Sequence, residues 1–242
     1  NMHNYRIFHC LNLIYIFLKR TIIKRFFWIL VFNPLHLFSQ YQICFNHKFQ
    51  NDELIINKKN IIRDDTITIS SLNYYVSMIS LHNNSKIVYV DNQLGHLISH
   101  ENHQSSCIVL DCKKIKFNSI HFKLGIDSIT HTKGVLGNDL DPSQGMYWTW
   151  RSGYINLKLE GYSSICAAKN HFFQFHIGGY QHPNNTSHNI DLQTKKDSTM
   201  NISFDLFKLL NKIDLSQTFQ IMSPSKKSVE ISSYWKNSFY VE

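Results

Sequence analysis

The sequence predicts an all-β chain, a single-domain β-sandwich or partly closed barrel with one short C-terminal helix. Three observations carry that reading. Runs of alternating or β-branched residues recur at short spacing, Gly and Pro are scarce at 9 and 4 of 242 residues, and one segment alone reads as a helix. With 43% apolar residues and no low-complexity linker, the chain can fill one core.

The strand signals follow in order. Ile43 to Phe49 alternates, with Ile43, Phe45, His47 and Phe49 on one face. Thr66 to Ile69, Leu72 to Ile79 and Lys86 to Val90 come next, and Asn83-Asn84 reads as the turn before the last. Ser106 to Leu110, Ser119 to Gly125, Gly153 to Leu159, His171 to His176, Ser187 to Leu192 and Met200 to Phe204 complete the set. Asp205 to Leu210 is the helix, with an acidic residue at its start.

Residues 1–40 read as a leader and 41–242 as the domain. Arg6, Lys19, Arg20, Lys24 and Arg25 occur there with no Asp or Glu, ahead of the short apolar run Phe26 to Phe32 and a cleavage zone at Phe38-Ser39-Gln40. The competing reading is an N-terminal membrane anchor that also uses Ile7 to Leu18. Either places the body of the protein outside the cytoplasm, in the periplasm or secreted. The net charge of +8 therefore does not signal nucleic acid, since the remaining 20 basic side chains face 17 acidic ones. Cys44, Cys107, Cys112 and Cys166 are an even set that permits two disulfides, although Cys107 and Cys112 cannot bridge along one strand without a turn between them.

Candidate chemistry concentrates in two segments, Gly145 to Gly161 and Phe173 to Gly179. Trp148 and Trp150 share a parity opposite to Ile155, Leu157 and Leu159, so a bulge at Ser152-Gly153 is needed to bring all five to one face. His176 has the parity opposite to Phe173 and Phe175 and precedes Gly178-Gly179, where backbone can be approached closely. His47 lies on an apolar face. Both the indoles and His47 are also ordinary core material, whereas two neutral imidazoles with an open position suit copper. His96, His100 and His103, spaced by four and three, would share a helix face, but their segment reads as a loop. Asp139 and Asp141 lack the ligand spacing of a calcium loop and are explained by Asx turns. No GxSxG, HExxH or Walker loop occurs.

Leu140-Asp-Pro-Ser-Gln-Gly-Met-Tyr-Trp-Thr-Trp-Arg-Ser-Gly-Tyr-Ile-Asn-Leu-Lys-Leu-Glu-Gly161 and Phe175-His-Ile-Gly-Gly179 closely resemble the MbnP-like domain family, as do the echoes Phe45-Asn-His47, Leu72-Asn-Tyr-Tyr-Val-Ser77 and Phe122-Lys-Leu-Gly-Ile-Asp127. Those exported, β-rich proteins are related in function to the copper proteins MopE and CorA. The resemblance implies copper bound outside the cytoplasm by two histidines and a tryptophan oxidised to kynurenine, with a MauG-type di-haem peroxidase as the oxidising partner and no catalysis by the chain itself. Carried onto this sequence, the metal residues are His176 and His47, with Trp148 or Trp150 as the modified one.

Overall fold

The computed structural model describes residues 41–112, 115–149, 152–194 and 199–242; the leader lies outside the described residues. In chain order the strands are β1 (Tyr41–Phe49), β2 (Asp52–Glu53), β3 (Lys59–Ile62), β4 (Asp65–Asn83), β5 (Lys86–Val90), β6 (His96–Ser99), β7 (Cys107–Leu110), β8 (Ser119–Leu124), β9 (Tyr147–Thr149), β10 (Gly153–Ser163), β11 (Phe172–Gly178), β12 (His188–Gln193), β13 (Thr199–Asp205), β14 (Gln220–Ile221) and β15 (Phe239–Val241). The helices are α1 (Ser128–Thr132), α2 (Leu206–Leu210) and α3 (Lys226–Lys236). The all-β expectation holds.

Two sheets make the body. The smaller runs β15-β13-β1-β2, with β1 and β13 parallel and β7 antiparallel on β1. The larger is built on β4, whose 19 residues merge the two strands expected at Thr66 to Ile69 and Leu72 to Ile79. Asn73 and Tyr74 pair with both β10 and β6, and Val76 with both β6 and β8. A strand residue has one neighbour on each edge, so β10 and β8 share one edge of β4 end to end, with β6 on the other. Asn156 fastens that junction: fully buried, it accepts the Ile126 N–H at 3.0 Å and donates to Thr186 Oγ1 at 2.9 Å. Gly125 beside it has φ +89°, and a Cβ there would stand 2.6 Å from Asn156 Cγ, so only glycine fits.

The sheets face each other across the main core. Ile43, Phe45, Ile202 and Phe204 of the smaller sheet meet Leu72, Tyr74, Leu157 and Phe175 of the larger, with Trp235 of α3 closing one side. The outer face of the larger sheet carries a second cluster of Tyr75, Leu97, Ile126, Leu140, Met146, Tyr154 and Ile155, with Tyr147 and Trp148 packed on it. This division follows from the pleat, which sends Tyr74 inward and Tyr75 outward.

Helix α2 sits where the sequence placed it, and Asp205 accepts the Phe207 N–H as its cap. α3 was not anticipated, because its serines weaken the apolar stripe; a capping box of Ser225 and Ser228 starts it. Cys44 and Cys107 form a disulfide between β1 and β7, while Cys112 and Cys166 are free, so one bridge forms rather than two. No helix among the described residues is long and apolar enough to cross a membrane.

Candidate functional site

The register shifts between Gly153 and Tyr154, at the glycine where the sequence called for a bulge, and Tyr147–Thr149 forms a strand of its own, β9. β9 pairs antiparallel with β10 through Gly153, which has φ +74°. A second irregularity lies further on, between Ile155 and Leu157 in the pairing with β11. It puts Ile155 in the outer cluster and Leu157 and Leu159 in the inner core, so these three residues, expected on one face, divide between two. Trp150 lies outside the described residues.

Trp148 lies on the outer face against Gly178. A Cβ on Gly178 would stand 2.7 Å from Trp148 Cζ3 and from the Tyr154 carbonyl oxygen, so the bare backbone is what admits the indole. The indole N–H is buried without a hydrogen-bond partner. Such an orphan donor costs about 1–3 kcal/mol. His176 is two residues before Gly178 on β11 and shares its face, a step of about 7 Å along the strand. Its Nε2 is 2.7 Å from Glu160 Oε1, and the ring is 8% exposed. Glu160 fixes the ring's orientation and makes Nδ1 the nitrogen a cation would meet, the arrangement by which carboxylates set up histidine ligands.

A histidine that sequence reasoning did not single out belongs to this outer cluster. His131, on the Asp127-capped α1, stacks on Tyr180 at 4.6 Å and accepts the Tyr154 N–H at 3.1 Å. Burial lowers its pKa to about 4. Its Nε2, near Asn156 and the Ile126 carbonyl, makes no hydrogen bond of good geometry. Nothing in the five-residue helix announced it; the signal is Gly153, whose missing Cβ leaves room for the ring, since a Cβ there would stand 2.3 Å from His131 Nδ1.

His47 is elsewhere. It faces the inner core from β1, with Nε2 3.1 Å from Tyr74 Oη and Nδ1 2.9 Å from His100 Nδ1. Since Tyr74 and Phe175 line the inner face while His176 has the opposite parity, the larger sheet separates His47 from His176. Of the described residues that the resemblance assigns to the metal, Trp148 and His176 are on the outer face, and His47 pairs with His100. His96 also leaves the proposed trio, because β6 turns it to Asp91 at 2.6 Å. Asp141 accepts the Ser143 N–H, the Asx turn expected of it, whereas Asp139 accepts the Leu97 N–H, a tertiary bond to β6 rather than a turn. Among the described residues no group of three or more His, Cys, Asp or Glu side chains is arranged to hold a metal ion.

The MbnP family model matches residues 39–227 of the chain. Among solved structures, MbnP from Methylosinus trichosporium superposes with a TM-score of 0.57 at 13% identity, covering 78% of this chain and 86% of that one. The comparison with curated proteins gives no match.

Proposed function

This chain belongs to the MbnP family, and from that premise we propose that it binds copper outside the cytoplasm, for acquisition or trafficking, on the outer face of its larger sheet. The observation that carries the reading is the seat of Trp148: an indole with a buried, unpartnered N–H, held against Gly178 one step along the strand from a carboxylate-oriented imidazole. Indole itself is a poor ligand, having a donor and no lone pair to offer. Oxidative cleavage of the indole C2–C3 bond by the peroxide that a peroxidase consumes, with C2 then released by hydrolysis as formate, gives kynurenine, whose amine and carbonyl together with His176 Nδ1 would make a copper site of nitrogen and oxygen donors. Trp148 is the residue assigned to that modification, and a MauG-type di-haem peroxidase is the partner proposed to perform it. Glu160 holds the imidazole for the metal, and Gly178 excludes the side chain that would displace the ring.

Two features support an extracytoplasmic setting, the Cys44–Cys107 bridge and the basic, apolar leader. The test is to coexpress the chain with such a peroxidase and measure bound copper together with intact mass. Copper retained in proportion to a mass shift located at Trp148, and lost by tenfold or more in His176→Ala, is the expected result. An unmodified tryptophan and no copper would favour a metal-free cell-envelope binding module instead, with the motif kept for folding.

A further inference from the structure

A third region takes no part in that copper reading. A polar cavity of about 460 Å³, within the size range of ligand sites, lies between β6 of the larger sheet and β7 of the smaller one, with His96, Leu97, Asp139, Cys107, Ile108 and Val109 in its lining. We propose that this cavity takes an extended peptide segment of a partner protein, one that alternates β-branched and basic residues and pairs with the free edge of β7.

The fold treats the two strand edges that meet the cavity differently. The His100 N–H donates to the Leu72 carbonyl of β4, so the alternate amides of β6, on Leu97 and Ser99, point to its other edge. Both are taken: Asp139 Oδ2 accepts the first at 3.0 Å and Ser105 Oγ the second at 2.9 Å. Side chains thus plug β6 against strand addition. β7 is left open. One edge of β1 is occupied by β13, and β7 and β2 share the other. On that shared edge the His47 carbonyl accepts the Leu54 N–H, so Ile43 and Tyr41, of the same parity, make the hydrogen bonds to β7. Their register partners are Ile108 and Leu110, which leaves the N–H and C=O of Cys107 and Val109 directed away from β1. Among the described residues no hydrogen bond reaches those four groups.

The strand Cys107–Leu110 carries neither the lysine nor the proline that commonly blunts an exposed edge. So short a strand would alone be a loose template, but the Cys44–Cys107 bridge ties it to β1 and pre-organises its edge. The partner's side chains follow from the pleat. A strand laid beside β7 puts alternate residues next to Val109, which is 53% exposed, and there a β-branched side chain packs across the pair. The residues between them face the cavity, whose ionisable groups are Asp139 and His96, the latter 2.6 Å from Asp91. Two carboxylates against one imidazole, with no Lys or Arg among the described lining residues, favour basic side chains there. An edge that is merely hydrated would leave unexplained why the facing edge alone is plugged.

Fluorescence anisotropy with labelled eight-residue peptides tests the site, using the full chain without reductant. A peptide alternating valine and lysine should bind, and the same peptide with glutamate in place of lysine should bind at least tenfold more weakly. In an antiparallel pairing the residue opposite Val109 is the one that exchanges hydrogen bonds with it, so methylating the valine amides of the peptide should also weaken binding at least tenfold. Val109→Pro should do the same from the other side, because it deletes an outward N–H and leaves the hydrogen bonds to β1 in place. Circular dichroism confirms that this variant folds, and the methylated peptide uses the parent chain. Absence of binding by the lysine peptide at about 1 mM, equal binding of the glutamate peptide, or undiminished binding after Val109→Pro or after methylation would each overturn the proposal. None of these results depends on whether the outer face binds copper.

Discussion

Tyr74 and Tyr75 are neighbours on β4, yet one sends its hydroxyl to the buried His47 ring at 3.1 Å and the other to the Asp139 carbonyl at 2.9 Å, on opposite sides of the sheet. The inner side is a continuous core in which Phe204 stacks on Phe239 at 4.6 Å and edges meet Tyr74 from several directions. The outer side is a small aromatic cluster roofed by loops and short 3-10 turns, and three of the four unpartnered buried polar atoms among the described residues, on His131, Tyr147 and Trp148, belong to it. The difference teaches where each kind of work is done. Dispersion and burial are satisfied within the sandwich, while the outer cluster leaves buried polar atoms on His131, Tyr147 and Trp148 unpartnered.

The largest expected effect is on the inner side. Phe204→Ala should destabilise the fold by about 3–5 kcal/mol in chemical denaturation, because the ring fills space between both sheets. A loss under about 1 kcal/mol would mean that the stability does not reside there. Acid should weaken both sides together. His47 and His131 have folded pKa values of about 3 and about 4, below the ordinary 6.5, so the unfolded chain takes up protons that the folded one refuses. Stability therefore declines as pH falls below about 6.5 and keeps declining until the folded groups titrate, with no change from these residues above that pH. Denaturation midpoints at pH 7 and pH 5 give the sign directly.

Smaller effects separate the sides. Gly178→Ala places a methyl where the Trp148 ring lies and should cost about 1–3 kcal/mol, with a change in tryptophan fluorescence that reports the displaced indole. Fluorescence like that of the parent would show that the indole does not depend on Gly178 for its seat. Trp148→Phe keeps an aromatic ring and deletes the orphan N–H, so it should change stability by less than about 1 kcal/mol. A larger cost in thermal or denaturant melts would mean that the donor has a partner after all and that the outer cluster is as closed as the inner one.

Much of this was legible in the chain. The alternation through Ile43, Phe45 and Phe49 located β1, Asp205 marked the start of α2, and Asn83-Asn84 marked the hairpin before β5, with Asn84 at φ +55°. The motif from Gly145 to Gly161 and the glycines after His176 pointed to the outer face. What misled was the parity count past Trp148. It foresaw the shift at Gly153 but not the pairing of β9 back onto β10, nor the second slip between Ile155 and Leu157. His100 and His103 were visible only as a spacing in a segment that reads as a loop, and the chain there is a strand end followed by a 3-10 turn.

Local pattern alone determined that the chain forms short strands with alternating faces, that Asp205 caps a helix, and that an indole and an imidazole lie near glycines. Those features depend on neighbours within a few residues. Which histidine meets which partner was decided only in the folded state, because it depends on pairing between β4 and strands up to about a hundred residues away and on a one-residue slip that exchanges faces. Sequence spacing carries no information about that slip, and so His47 looked like a companion for His176 until the sheet was seen to stand between them.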